Sequence, residues 1–225
     1  MTLRSSSGPL AIFDCDGTLV DSQADICAAM DAAFAAAGLA PPDRNATRRV
    51  VGLSLPEAMR RLRPDGTADD HAMLSQLYRD AFRERRMAGQ VEEPLYDGIA
   101  DLIAELTGAG WLLGVATGKS DRGLIHCLET HGLSGHFVTL QTADRHPSKP
   151  HPSMIEACLA ATGAAASAAV MIGDTSFDMA MAVNAGVRAL GVDWGYHHPR
   201  ELTEAGAEAV AGSMAELRLL LKGME

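Results

Sequence analysis

The sequence predicts an α/β fold, a parallel sheet covered on both faces with an all-helical unit inserted into it. Three observations carry that expectation. Five short apolar runs, Leu10–Phe13, Leu112–Ala116, Phe137–Leu140, Ala169–Ile172 and Ala189–Val192, read as buried strands, because a strand covered on both faces loses its in-out alternation. Most are followed by helical periodicity, and the later gaps of about 20 to 30 residues each fit one crossover helix. The first two runs are instead about 98 residues apart, far longer than a simple connection, so a separate unit lies between them.

That unit reads as helical. Ser22 is a candidate N-cap, Ile26, Met30, Ala33, Phe34 and Ala37 share one face, and Gly38 supplies a stop. Pro41-Pro42 and Gly52 break the pattern, and a second helix is expected to start near Pro56. Pro64-Asp65-Gly66 forms a turn before a third helix over His71–Arg86, with Met73, Leu74, Leu77, Tyr78, Ala81 and Phe82 apolar. Pro94 marks the return to the core, and Ala100–Leu106 is the helix before the second strand. The expected division is a core of 1–21 and 93–225 around an insert of 22–92.

Composition narrows the function. Of 225 residues 47% are hydrophobic, many of them alanine, and 21% are charged, which excludes disorder. No apolar run approaches the roughly 18 residues of a membrane span. The stretch from Met1 to Phe13 is too short for a secretory leader. A net charge of −10 gives no global attraction to nucleic acid. Cys15, Cys27, Cys127 and Cys158 have neither C-x-x-C nor zinc-ligand spacing and read as reduced, buried thiols of a cytoplasmic protein. The expected partner is a small phosphorylated metabolite, with no nucleic acid or membrane, and the chain is expected to be a monomer or homodimer.

Four elements carry chemistry. Asp14-Cys15-Asp16-Gly17-Thr18 follows the first strand, where parallel α/β sheets place their sites. Two carboxylates so close need a cation or a shared proton to offset their repulsion. Gly173-Asp174-Thr175-Ser176-Phe177-Asp178 puts a second acidic pair at another strand end; Asp174 alone reads as an N-cap, but together the clusters suit Mg²⁺. Thr117-Gly118-Lys119-Ser120 forms an anion-binding turn or a simple cap. Lys149 sits in a proline-stiffened loop between the third and fourth strands.

In this order the four elements resemble the haloacid dehalogenase-like hydrolase superfamily, and Phe13 to Ser22 resembles its phosphoglycolate phosphatase-type branch. The insert matches that branch's α-helical cap, and Gly52-Leu53-Ser54-Leu55 its specificity loop. The resemblance implies a Rossmann-like core and a Mg²⁺-dependent phosphatase. Asp14 is then the nucleophile and Asp16 the general acid and base. Mg²⁺ is held by Asp14, the backbone carbonyl of Asp16 and Asp174. Thr117, Gly118 and Lys149 bind the phosphoryl oxygens, and Asp178 orients Lys149 or a metal-bound water. Gly118 departs from the branch, which often has Asn there.

The resemblance favours a phosphoglycolate-like ester. Sugar phosphates, nucleoside monophosphates and pyrophosphate remain open, as does a β-phosphoglucomutase-like transfer. Mutases tend to carry a basic residue where Leu55 stands, which favours hydrolysis. Asp16 disfavours dehalogenation, which needs no acid there. A response-regulator receiver would be about half as long and lack the insert. Arg48, Arg49, Arg60, Arg61 and Arg63 are the cap's candidates for a substrate carboxylate. His197-His198 reads as a packing loop, and His126 and His131 as surface or core residues.

Overall fold

The computed structural model describes residues 8–224. The first seven residues and Glu225 of the expected core lie outside the described residues. Six parallel strands form one sheet: β1 (Leu10–Phe13), β2 (Leu112–Thr117), β3 (Thr139–Thr142), β4 (Ala169–Gly173), β5 (Arg188–Val192) and β6 (Ala209–Ala211). Their order is β3-β2-β1-β4-β5-β6. The chain turns one way after β1 and the other way to reach β4, so the switch point of the sheet lies between these two strands. Both neighbours pair with β1 over its whole length, Phe13 lying opposite Val115 and Ile172.

Successive β1 side chains serve opposite faces. Ala11 and Phe13 join one apolar cluster with Leu102, Leu124 and Leu217, and Leu10 and Ile12 join another with Ile155, Met179 and Leu202. The first face is covered by α5 (Ile99–Gly108), α6 (Asp121–Thr130) and α10 (Met214–Lys222), the second by α7 (Ser153–Thr162), α8 (Ser176–Ala185) and α9 (Pro199–Glu204). Leu10, Ile12 and Phe13 are wholly buried, each stabilising the fold by about 1.5–3 kcal/mol.

Several sequence expectations need correction. The third strand is displaced from Phe137–Leu140 to Thr139–Thr142. It is an edge strand, and its buried polar groups are satisfied locally: Gln141 Nε2 donates to Thr139 Oγ1 at 2.7 Å. Phe137 instead meets Phe13 edge-on at 6.4 Å. The three-residue β6 was not expected, being too short to show a period. Ser22 precedes α1 but makes no capping bond; its hydroxyl donates instead to Asp16 Oδ1 at 2.6 Å.

Four helices stand between β1 and β2: α1 (Gln23–Ala36), α2 (Arg44–Arg48), α3 (Leu55–Leu62) and α4 (Ala68–Met87). The short α2 was not expected; Asp43 caps it, accepting from the Asn45 and Ala46 N–H groups. The start of α4 lies before His71 because Thr67 and Asp70 form a reciprocal capping box. The helices share an apolar centre of Met30, Phe34, Met59 and Leu74, distinct from the clusters on the sheet. A Leu74→Ala change is expected to cost about 2–5 kcal/mol, measured by urea denaturation. A loss well under 1 kcal/mol would mean that these helices do not pack as described.

Candidate active site

β1 and β4 end side by side, and their next polar residues are Asp14 and Asp174. Both carboxylates are wholly buried. The turn after Asp14 is closed by Gly17 N–H to Val20 O at 2.9 Å. Gly17 has φ +85°, and a Cβ there would strike the Asp174 carboxylate and the Tyr196 ring, so this position needs glycine for both conformation and space. Asp174 is fixed at both oxygens: Thr18 Oγ1 donates to one at 2.8 Å and the Tyr196 N–H to the other at 2.9 Å.

Lys149 is also wholly buried. Its Nζ donates to Asp178 Oδ1 at 2.6 Å and lies 2.9 Å from Asp14 Oδ2. The other Asp178 oxygen accepts from Thr175 N–H and Oγ1 in a capping box at the start of α8. Thr175, not Asp174, is therefore the cap of that helix. Asp178 thus locks the helix start and aims the lysine.

Oxygens of Asp14, Asp174 and Asp178 lie within 4.8 Å of one another. Burial pushes the Asp14 carboxyl up to about 7, against the pull of Lys149 and with added repulsion from Asp178 and Asp16. Burial, then Asp178 and Asp14, also raise Asp174 well above the usual carboxylate range. Burial opposes the charge on Lys149, but Asp14 and Asp178 outweigh it and hold the lysine raised. One lysine does not offset three buried acids, and the Lys149 ammonium that Asp14 Oδ2 meets is shared with Asp178. A buried, all-oxygen donor set with residual negative charge fits a hard divalent cation such as Mg²⁺.

Asp16 stands apart from this cluster. Its Oδ1 accepts from Ser22 Oγ at 2.6 Å and from Lys119 Nζ at 2.7 Å. Its expected share in the metal is through its backbone carbonyl, which leaves the side chain free for other work. Lys119 was not assigned a role in the sequence, yet its Nζ also donates to Glu93 Oε1 at 2.7 Å. Only distant chain contacts reveal that role, since Glu93 is 26 residues away. Thr117 ends β2 with its side chain buried, and its Oγ1 accepts from the Lys119 N–H at 3.2 Å.

The helical insert lies against this end of the sheet. A Cβ on Gly118 would sit 2.5 Å from Leu53 O and 2.7 Å from Gly52 O, so the missing side chain is what admits the cap loop. Ser54 N–H donates to Ser148 Oγ at 2.8 Å, and Arg49 pairs with Glu201. Between the two units is a cavity of about 750 Å³ lined by Asp16, Gly118 and Lys119 from the core and by Leu55, Tyr78 and Phe82 from the insert. Asp14, Lys149 and Asp174 are not in its wall.

The cap arginines singled out in the sequence do not line this cavity. Arg49 is tied to Glu201, Arg60 and Arg61 pair with Glu57, and Arg61 also stacks over Phe177 at 4.9 Å. The cations that do line it come mainly from α4, in Arg79, Arg83 and Arg86. His197 accepts from the Ser176 N–H at 3.1 Å and His198 caps α9. His131 bonds the Glu93 carbonyl at 2.7 Å, while His126 is exposed.

Known proteins share this sequence and architecture. A relative named "Probable phosphatase IndB" from Dickeya dadantii is 34% identical, the match covering 93% of this chain and 91% of the relative. A phosphoglycolate phosphatase of Vibrio parahaemolyticus is 29% identical over 92% and 93% of the two chains. The crystal structure of a predicted phosphatase from Clostridium acetobutylicum superposes with a TM-score of 0.86 at 26% identity, covering 96% and 99%. Residues 11–192 match the model of one family. The chain belongs to the haloacid dehalogenase-like hydrolases.

Proposed function

We propose that this phosphatase hydrolyses a small anionic phosphate monoester, with 2-phosphoglycolate as the reference substrate, through a phosphoryl group carried on Asp14. The observation that supports the division of labour is the cavity wall. Asp16 reaches the space between cap and core and Asp14 does not. The leaving group then occupies the side of Asp16, while the phosphoryl group meets Asp14. The name borne by the Vibrio relative supports the choice of ester.

In the first half-reaction an Asp14 oxygen forms a bond to phosphorus as the bond to the leaving oxygen breaks. Asp16 delivers a proton to that oxygen. In the second, Asp16 takes a proton from water, water oxygen bonds to phosphorus, and the bond to Asp14 breaks. Lys149 and the Thr117–Gly118 turn hold the phosphoryl oxygens, and Asp178 keeps Lys149 aimed. Asp14, the Asp16 carbonyl and Asp174 would hold Mg²⁺, which would supply charge neutralisation between a carboxylate and an incoming phosphate. Residues 22–92 act as a cap that excludes water over the core of 1–21 and 93–225. Leu55 lines the cavity where mutases tend to carry a basic side chain, which supports hydrolysis over transfer. A cytoplasmic setting is supported by four free, buried cysteines; among the described residues no helix is long and apolar enough to cross a membrane.

Asp14→Asn is expected to abolish Mg²⁺-dependent phosphate release from an aryl phosphate; full activity in that variant removes the proposed nucleophile. Asp16→Asn is expected to lower kcat by about 10²–10⁴, and an unchanged kcat would exclude it as acid and base. The raised Asp14 also gives a pH dependence. A carboxyl raised from 3.8 to about 7 stabilises the metal-free fold below the unfolded value and loses that stabilisation as pH rises through about 7. Bound protons and Mg²⁺ compete there, so Mg²⁺ is expected to raise Tm more at pH 8 than at pH 5. Equal increments at both pH values would contradict that competition.

A further inference from the structure

The cavity between cap and core is larger than a two-carbon acid needs. Its volume of about 750 Å³ falls within the range of pockets for drug-sized ligands. Its wall is mixed. Tyr78 and Phe82, one helical turn apart on α4, place their rings 5.9 Å from each other, and both line the cavity beside Ile26, Val50 and Leu55. Such a wall suits the flat or apolar body of a leaving group, not a short hydrated chain.

The wall also collects positive charge within a chain of net charge −10. Arg79, Arg83, Arg86, Lys119 and Arg122 line it, against the carboxylates of Asp16 and Asp144. Several of these charges are already used. Lys119 is held by Asp16 and Glu93 at 2.7 Å each, Arg83 by Asp80 at 2.7 Å, and Asp144 accepts from the Asp121 N–H at 2.9 Å. Arg86 is different. Its guanidinium lies 5.2 Å over the Phe82 ring, and its Nε is buried with no hydrogen-bond partner. Its one ion pair among the described residues, with Glu93, is 4.0 Å long, and Glu93 is engaged by Lys119. Arg79 and Arg122, exposed on the same wall, make no ion pair among the described residues. A guanidinium stacked on the cavity wall, with its ion pair as long as 4.0 Å, is poised for an anionic acceptor.

We propose that the substrate is a phosphate monoester whose leaving group has an apolar or aromatic body and a second anionic group, a carboxylate or a phosphate, bound by Arg86 with help from Arg79 and Arg122. This rests on the phosphatase reading above and moves the substrate beyond the two-carbon phosphoglycolate. Arg86 is a specificity-determining residue, since it acts on the leaving group and not on the reacting phosphoryl group.

The test is steady-state phosphate release by the full chain with Mg²⁺ from matched esters: 4-carboxybenzyl phosphate, its neutral 4-carbamoyl counterpart, the corresponding bisphosphate and 2-phosphoglycolate. The carboxyl ester is expected to exceed its neutral counterpart in kcat/KM by about tenfold or more, and to exceed 2-phosphoglycolate. The bisphosphate arm shows which anion is preferred. Arg86→Gln is expected to collapse the carboxyl-to-carbamoyl ratio towards one, and Arg86→Lys to restore part of it. If Arg86→Gln does not fold, the exposed pair Arg79→Gln/Arg122→Gln reads the same ratio, with a smaller fall. Equal kcat/KM for the charged and neutral esters, a ratio untouched in every variant, or a preference for 2-phosphoglycolate overturns the inference and leaves the phosphatase standing. No release from any ester overturns the phosphatase reading, and this inference with it.

Discussion

The structure depends on keeping negative charge together where it would separate. Asp14, Asp174 and Asp178 are wholly buried with oxygens within 4.8 Å of one another, and the buried Lys149 is shared between two of them. Removing one partner from such a set leaves an uncompensated charge in a poor dielectric. Hence the close packing around it. Gly17 and Gly195 leave no room for a Cβ beside Asp174, Thr18 and the Tyr196 N–H each donate to one of its oxygens, and Asp178 is pinned by a helix cap. The sheet supplies the frame: parallel strands on both sides of β1 bring two chain turns 160 residues apart in sequence to one crevice.

Segregation of the two acids of the first turn follows from the same constraint. Asp14 faces the cluster, and Asp16 turns to Lys119, Ser22 and the cavity. Chemically alike side chains thereby receive different partners, as the proposed division into a nucleophile and a proton-exchanging neighbour requires. The cap loop reaches this region because Gly118 carries no side chain. An Asn there would meet the Gly52 and Leu53 carbonyls, so the departure from the branch pattern and the close seating of the loop have one cause.

Much of this was legible in the sequence. The buried strands have no alternation to misread, and the acidic turns follow them directly, so the sheet, the inserted helices and the positions of Asp14, Asp16, Lys149, Asp174 and Asp178 could be placed from local pattern. What was not legible depends on contacts between distant segments. Ser22 has the look of a helix cap, yet Asp16 claims its hydroxyl. The edge strand β3 is built from Thr and Gln whose hydrogen bonds substitute for apolar burial, so hydrophobicity pointed two residues too early. Spacing could not choose among the arginines at 48, 49, 60, 61 and 63, whereas α4 turns Arg79, Arg83 and Arg86 to the cavity, and helix orientation cannot be read without knowing what the helix packs on.

The central claim is that Asp14, and no other acid of the buried group, carries the phosphoryl group. The most direct measurement is to acid-quench the turning-over enzyme, reduce with borohydride and map the peptides by mass spectrometry, since reduction converts an acyl phosphate to an alcohol at the residue that bore it. The account predicts reduction at position 14 alone, dependent on substrate. Reduction at Asp16, Asp174 or Asp178 instead, or turnover with no reduced residue under conditions that preserve acyl phosphates, would contradict it.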